Sequence, residues 1–117
     1  MVDLREPDGV MRVRLAETTS EIEVPLAHAS VSDRVQVAIR AGDILLATER
    51  PRGLSARNIL EGKIVSLEQR GAIFIAVVDS GPKFISHVTP GAVRALELTS
   101  GKQVWLVLKT HSCHLVE

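Results

Sequence analysis

Apolar and charged side chains alternate along much of the chain, with the period of two that half-buried β-strands show. Three such runs in the first half are predicted strands: 10–15, 21–26 and 34–40. Pro25 predicts that the second run lies at a sheet edge, because proline donates no ladder hydrogen bond. The segment 17–20 is predicted to connect the first two strands, and a turn at 41–43 leads into the apolar run 44–47.

The second half continues this pattern with longer runs. Strands are predicted over 58–67, 72–78, 83–88, 103–109 and 113–116. Gly62 predicts a bulge in the first of them, and the nearly continuous apolar run 72–78 is typical of a strand buried on both faces. Thr89 and Pro90 predict the N-cap and first residue of a short helix that extends to Leu98.

The two halves form a weak internal repeat. Segments 35–46 and 104–115 both contain an alternating strand that ends in a cation, then a short polar turn and an apolar tail. Two features of the second repeat, the short helix and an opening strand like 58–67, have no predicted counterpart in the first. The missing strand predicts that the chain is part of a longer protein.

Short strands with one helix between the fourth and fifth are typical of an OB-like barrel. We therefore predict an all-β fold. Residues 1–52 form an incomplete OB-like β-subdomain, and residues 53–117 form an OB-like barrel with one short helix. The incomplete first repeat leaves an open sheet edge, so pairing between two chains is expected.

The amino-acid composition limits the classes of protein to which the chain can belong. The 14 basic and 14 acidic residues cancel, and aromatic residues make up only 3% of the chain, so neither a basic surface nor a stacking platform for nucleic acid is expected. The single cysteine, Cys113, indicates a reducing compartment. The sequence contains no run that resembles a signal peptide or a membrane span, which predicts a soluble, cytoplasmic chain without membrane insertion.

Catalytic signatures are also missing from the sequence. It contains no phosphate-binding loop and no nucleophile elbow. His111 and His114 flank Cys113, but in a short terminal strand they are interpreted as surface histidines rather than zinc ligands. We therefore expect a chain that is not an enzyme and that holds no metal and no cofactor.

Two segments at predicted strand ends combine hydroxyls, cations and small side chains: Ser55-Ala56-Arg57-Asn58 and Lys109-Thr110. Free backbone N–H groups at such ends, together with hydroxyls and cations, suit a tetrahedral oxyanion. In the alternative interpretation, the serine and the asparagine only satisfy a turn and the two cations are solvated. Spacing alone favours this alternative.

A family resemblance favours the oxyanion site over this alternative. The sequence resembles the Mop (molbindin) domain, a type of TOBE domain, in several patches with the family's order and spacing: Ser55-Ala56-Arg57-Asn58, Gly62-Lys63-Ile64-Val65, Thr89 before a helix, Gly101-Lys102-Gln103-Val104 and Leu108-Lys109-Thr110. The segment 39–47, followed by 54–60, is similar to the C-terminal region of the ATP-binding subunit of molybdate ABC transporters.

The resemblance implies a Mop/TOBE domain at 53–117 that binds molybdate or tungstate between the two chains of a homodimer. It also implies an upstream ATPase domain, a membrane subunit as partner, a position at the cytoplasmic face of the membrane, and control of transport by the intracellular oxyanion. The family motif assigns the oxyanion to Ser55, Ala56, Arg57, Asn58, Thr89, Lys109 and Thr110.

Some positions depart from the family pattern. Thr110 stands where the family usually has alanine or serine, and His111 and Cys113 stand where its members are usually small or aliphatic. Two alternative functions therefore stay open. One is a structural dimerisation module whose anion site has decayed, and the other is a regulatory domain for a sugar or another solute.

Overall fold

The computed structural model describes residues 2–6, 9–15, 21–25 and 33–116. The predicted connection at 17–20 lies outside these residues. The described strands are β1 Val2–Glu6, β2 Val10–Arg14, β3 Glu21–Pro25, β4 Gln36–Ile39, β5 Leu45–Ala47, β6 Asn58–Arg70, β7 Ile73–Asp79, β8 Lys83–Val88, β9 Gln103–Leu108 and β10 Cys113–Val116. An α-helix, α1, covers Pro90–Ala95, and two 3-10 helices cover Ala41–Asp43 and Thr110–Ser112.

All strand pairs described are antiparallel. They form a three-stranded sheet in the order β1-β2-β3, a five-stranded sheet in the order β5-β9-β6-β7-β8, and the pair β10-β4. The larger sheet curls into a half-barrel. The predicted all-β class with one short helix is confirmed, and so is the edge position of the strand that carries Pro25, since β3 ends the three-stranded sheet.

The internal repeat is visible in the hydrogen bonds. The Val2 N–H donates to the carbonyl of Asp33 at 2.9 Å, and at the corresponding place the Ile64 N–H donates to the carbonyl of Lys102 at 2.9 Å. The register shifts next to Val2 in β1 and next to Ile64 in β6. β1 is therefore the counterpart of the central part of β6.

The prediction that the first repeat lacks an opening strand was consequently wrong. β1 has five residues where β6 has 13, so the opening strand is short rather than missing. Val2, Asp3, Leu4 and Arg5 do alternate, but Pro7 follows two residues later, so the run is shorter than the other predicted strands.

The last strand of each repeat pairs with the other repeat. β5 lies against β9, with Leu45 opposite Val107, and β10 lies against β4, with His114 opposite Ala38. One hydrophobic core contains buried side chains from both repeats: Met11, Ile22, Val24 and Ile44 from the first, and Ile64, Val78, Leu106, Leu108 and Cys113 from the second. The division into residues 1–52 and 53–117 stays a prediction about sequence repeats.

Two expectations about the central strands were wrong. The register shift in β6 lies between Ile64 and Ser66, not at Gly62. A Cβ at Gly62 would lie 2.7 Å from Val78 Cγ1 and 3.0 Å from the Asp79 carbonyl oxygen, so close packing requires this glycine. β7 is not buried on both faces, because an antiparallel sheet packs one face on the core and leaves the other at the surface.

The helix begins as predicted. Thr89 is the N-cap, and its Oγ1 accepts a hydrogen bond from the Ala92 N–H at 3.2 Å. It ends at Ala95 rather than Leu98, because Glu97 adopts a φ of 51° and turns the chain. Lys102 Nζ then donates to the Leu96 carbonyl at 2.7 Å and satisfies the helix end.

Candidate functional site

A pocket lies where the two repeats meet. Its volume is about 400 Å³, within the range of small-molecule sites. The first repeat lines it with Gly42, Asp43 and Leu45, and the second with Leu54, Ser55, Ala56, Val107, Lys109 and Ser112. Three of the residues predicted from the sequence, Ser55, Ala56 and Lys109, therefore share one pocket.

Ser55 and Ala56 reach the pocket on the loop between β5 and β6. Gly53 turns this loop with a φ of 69°, a conformation that favours glycine. Ser55 is exposed and Ala56 is half-buried. The loop therefore presents a hydroxyl beside a small side chain, which leaves its backbone accessible to a ligand.

Lys109 lines the pocket from the junction between β9 and the second 3-10 helix. Its side chain is exposed, whereas its carbonyl accepts the Ser112 N–H at 3.1 Å and faces the Cys113 thiol at 3.7 Å. The backbone at Lys109 is thus held by the 3-10 helix. Its ammonium group keeps the freedom to meet an anion.

The first repeat contributes one wall of the pocket, and the residues of this wall are not part of the donor motif. Asp43 belongs to the first 3-10 helix, its N–H donates to the Arg40 carbonyl at 2.9 Å, and its carboxylate lies 3.8 Å from Arg40 Nε. The internal repeat carried the relevant signal, because it aligns Arg40 with Lys109 and Asp43 with Ser112. The pocket therefore contains a negative charge as well as the Lys109 ammonium.

Asn58 and Thr110 are both buried, and both bind Glu23 on β3. The Glu23 N–H donates to Asn58 Oδ1 at 2.6 Å, and Asn58 Nδ2 donates to the Glu23 carbonyl at 2.9 Å. Thr110 Oγ1 donates to Glu23 Oε2 at 2.6 Å. These side chains join β3 to the two edges of the pocket, and their role as oxyanion ligands stays a prediction.

The Asn58 amide also contacts Cys113, where Nδ2 lies 3.8 Å from Sγ. Burial raises the pKa of the Cys113 thiol to about 11, and the Asn58 hydrogen bond opposes this shift. The thiol is therefore neutral near pH 7, so Cys113 adds no charge to the site.

Arg57 and Thr89 lie outside the pocket lining. The Arg57 side chain is exposed, directly before β6. Thr89 caps α1 through its hydroxyl. Their assignment to the oxyanion also stays a prediction.

The rim of the pocket is apolar and accessible. Leu45 is 63% exposed and Leu54 is 46% exposed. Large apolar side chains grouped at a surface mark contact sites more often than isolated ones do. The rim is therefore suited to contact with another chain.

Within residues 2–6, 9–15, 21–25 and 33–116, no three His, Cys, Asp or Glu side chains lie close enough together to hold a metal ion. The same described ranges contain no helix with the length and apolar character needed to cross a membrane.

A family profile and several known proteins match more than half of this chain. The sequence profile of the TOBE domain matches residues 54–115. The molybdenum import ATP-binding protein ModC of Mesorhizobium japonicum is 36% identical over 111 residues, 93% of this chain and 30% of that protein. ModC of Rhizobium meliloti is 42% identical over 91 residues, 76% of this chain and 26% of that protein.

A solved structure shares the fold. The cytoplasmic molybdate-binding protein ModG, in a form with molybdate bound, matches with a TM-score of 0.82 at 23% identity, over 91% of this chain and 82% of ModG. This likeness confirms the predicted OB-like architecture. The chain spans less than a third of the length of the ModC proteins above. The profile match over more than half of the residues shows that this chain belongs to the TOBE domain family.

Proposed function

We propose that the chain binds a tetrahedral oxyanion, molybdate or tungstate, in the pocket between Ser55 and Lys109. The observation that carries this proposal is that the two donor segments, which are far apart in sequence, line one pocket. Molybdate and tungstate share charge and geometry and are close in size, so the same donors serve both.

The chemistry of the lining supports this ligand. Ser55 supplies a hydroxyl donor, Lys109 supplies a cation, and Ala56 leaves room for the oxyanion to approach the backbone. Hydrogen bonds from charged donors to oxyanions are about twice as strong as neutral ones. The family motif adds Arg57, Asn58, Thr89 and Thr110 to the proposed ligand set.

The names of the relatives support a role in transport. We propose that the chain is the regulatory part of a molybdenum import ATP-binding protein, with an ATPase domain elsewhere in the full protein and a membrane subunit as partner. It acts on the cytoplasmic side of the membrane. The chain itself is not catalytic and uses no cofactor, because its role is to bind the oxyanion and control transport.

A second chain completes the site in this proposal. Leu45 and Leu54 form an exposed apolar rim that a homodimer would cover. Anion bound between two chains stabilises the arrangement in which they meet, and its differential affinity for that arrangement regulates the transporter.

Thermal unfolding with molybdate, tungstate, sulfate and phosphate tests the proposal. A ligand that binds only the folded state raises the midpoint temperature of unfolding. At a free ligand concentration of a hundred times Kd, the free energy of unfolding rises by about 2.7 kcal/mol. We expect shifts with molybdate and tungstate that are lost in the Ser55→Ala, Lys109→Ala double variant. The matched control is Ser66→Ala, Lys63→Ala, at two exposed positions on β6. Equal shifts in both double variants would reject the site.

A dimerisation module without anion binding is the second candidate function. The apolar rim favours it, and so does the Asp43 carboxylate in the pocket wall, which repels an anion. Sedimentation with and without molybdate separates the two functions. The module dimerises equally in both conditions, whereas the regulatory domain dimerises more tightly with the oxyanion.

A further inference from the structure

Glu23 connects three separate parts of the chain. It lies on β3 in the first repeat, and it binds Asn58 at the start of β6 and Thr110 at the start of the second 3-10 helix. Its backbone holds the asparagine through both amide atoms, while its carboxylate holds the threonine hydroxyl. One residue thus uses its main chain and its side chain on different partners.

Both partners directly follow proposed oxyanion ligands. Asn58 follows the loop of Ser55, Ala56 and Arg57, and Thr110 follows Lys109. The ligands themselves are mostly exposed, whereas Asn58 is 4% and Thr110 is 8% exposed. The positions of the exposed ligands are therefore set by the buried residues behind them.

The β6–β9 ladder already fixes one relation between the two edges, with Asn58 opposite Leu108. That ladder ends at this pair, so the residues beyond it on both sides depend on other contacts. The Glu23 bonds lie just where the ladder stops. They hold the loop before β6 and the 3-10 helix after β9 against the same strand of the first repeat.

Burial makes these bonds difficult to replace. A buried donor or acceptor that loses its partner bears its full desolvation cost, and water cannot readily take the place of Glu23 at Asn58 or Thr110. Within the described residues every buried side-chain nitrogen and oxygen has a hydrogen-bond partner, so the buried side-chain atoms of Asn58 and Thr110 are satisfied. Such networks keep their members in one arrangement.

We infer that Glu23 is a positioning residue of the oxyanion site, which sets the distance between the Ser55 loop and Lys109 without touching the anion. The inference rests on the proposed function for its effect on binding. The first repeat therefore contributes to anion affinity through β3 as well as through the pocket wall at Asp43. The carboxylate acts as a hydrogen-bond acceptor here, so a neutral acceptor of the same shape can replace it.

Four variants test this role. Glu23→Ala removes the acceptor and Glu23→Gln keeps one, while Thr110→Val removes the donor at constant shape and Thr110→Ser keeps it. Glu68→Ala is the control, because Glu68 is an exposed glutamate on β6 that pairs with Arg70. Thr110→Val preserves the buried volume, so it remains informative if Glu23→Ala does not fold.

Molybdate affinity by calorimetry is the first measurement. We expect Glu23→Ala and Thr110→Val to weaken binding about tenfold, because the anion must then order the segment 109–112, at a cost of about one buried hydrogen bond. Glu23→Gln and the control Glu68→Ala stay within about threefold of wild type, and Thr110→Ser, which keeps the donor to Glu23, binds more tightly than Thr110→Val. Wild-type affinity in both disruptive variants would overturn the inference.

Amide hydrogen exchange without anion is the second measurement, and it does not depend on the proposed function. Glu23→Ala and Thr110→Val should speed exchange in the segment 109–112, which the Glu23 carboxylate anchors. The β7–β8 hairpin and the segment 55–57, which is anchored through the Glu23 main chain, should stay unchanged. If wild type binds no molybdate, the proposed function fails while faster exchange in 109–112 still supports the positioning role. Unchanged exchange in that segment would overturn the role.

Discussion

Leu45 lies directly opposite Val107 in the β5–β9 ladder, and both residues line the pocket between the two repeats. Leu45 belongs to the first repeat and Val107 to the second. The pairing therefore brings Gly42 and Asp43, which precede Leu45, next to Lys109, which follows Val107. The pocket exists because the repeats exchange their last strands, and its charges come from both of them.

Replacement of Lys109 by glutamine should weaken molybdate binding about tenfold or more, because a hydrogen bond to a charged group contributes roughly 1.5–3 kcal/mol. Stability without anion should change little, since the Lys109 side chain is exposed. Calorimetry and thermal unfolding measure the two effects. Lys63→Gln on β6 is the control, and equal affinities of the two variants would exclude Lys109 as a ligand.

Asp43→Asn should strengthen the binding of doubly charged oxyanions about three- to tenfold, because it removes a like charge at the pocket wall. The gain should shrink as salt concentration rises. Asp79→Asn, at the exposed end of β7, is the matched control. A loss of affinity in Asp43→Asn would instead mean that the carboxylate holds the wall through Arg40.

Leu45→Asn and Leu54→Asn should weaken self-association, because each removes an exposed apolar side chain from the pocket rim. Each change should raise the dimer dissociation constant about tenfold or more if the rim is central to the contact. Sedimentation across a concentration series measures this. Val65→Asn is the control, since Val65 is 42% exposed and lies past the Lys63 end of the β6–β9 ladder, whereas the pocket lies at its Asn58 end. Equal association of all three variants would place the dimer contact elsewhere.

Gly62→Ala should destabilise the fold by about 1–3 kcal/mol, the usual cost of overpacking. The added Cβ would lie 2.7 Å from Val78 Cγ1 and 3.0 Å from the Asp79 carbonyl oxygen, so the β6–β7 pair must shift. Urea unfolding measures the change. Gly91→Ala in α1 should be neutral or stabilising, because its nearest neighbour is 4.0 Å away and alanine favours helix.

Stability should fall as pH rises from about 9 to about 11, because burial in the folded chain raises the pKa of the Cys113 thiol from its ordinary value of 9.0 to about 11. Below pH 9 the thiol is neutral in both the folded and the unfolded state, and its contribution is fully present. It is lost as pH passes through the folded value, by an amount on the order of 1–2 kcal/mol. Cys113→Ala should flatten this part of the stability profile, and an unchanged slope would contradict the assignment.

Most strands could be predicted from the sequence, because alternation records which face of a sheet is buried. β1 was missed because its alternating run is only four residues long, and the register shift near Ser66 leaves no compositional signal. The pairing of β5 with β9 and of β10 with β4, each across the two repeats, could not be predicted either. Alternation reveals a buried face but not the strand that lies beside it.

The lining of the pocket was predictable in part for a similar reason. The donor motif contains Ser55, Ala56 and Lys109, which share this pocket, but residue type does not reveal which donors face the pocket and which face the core. Their role as oxyanion ligands stays a prediction. Asn58 and Thr110 turned toward Glu23, which in the sequence is only a polar position of an alternating strand. Asp43 was visible only through its alignment with Ser112 in the repeat.

The exchange of terminal strands also determines what happens when the chain is cut. A protease that cleaves the loop near Arg52 would leave two fragments that each hold the final strand of the other repeat in a ladder. Their shared core would keep the nicked protein together as a complex. The two pieces, made separately and mixed, are therefore candidates for reconstitution of the fold from its halves.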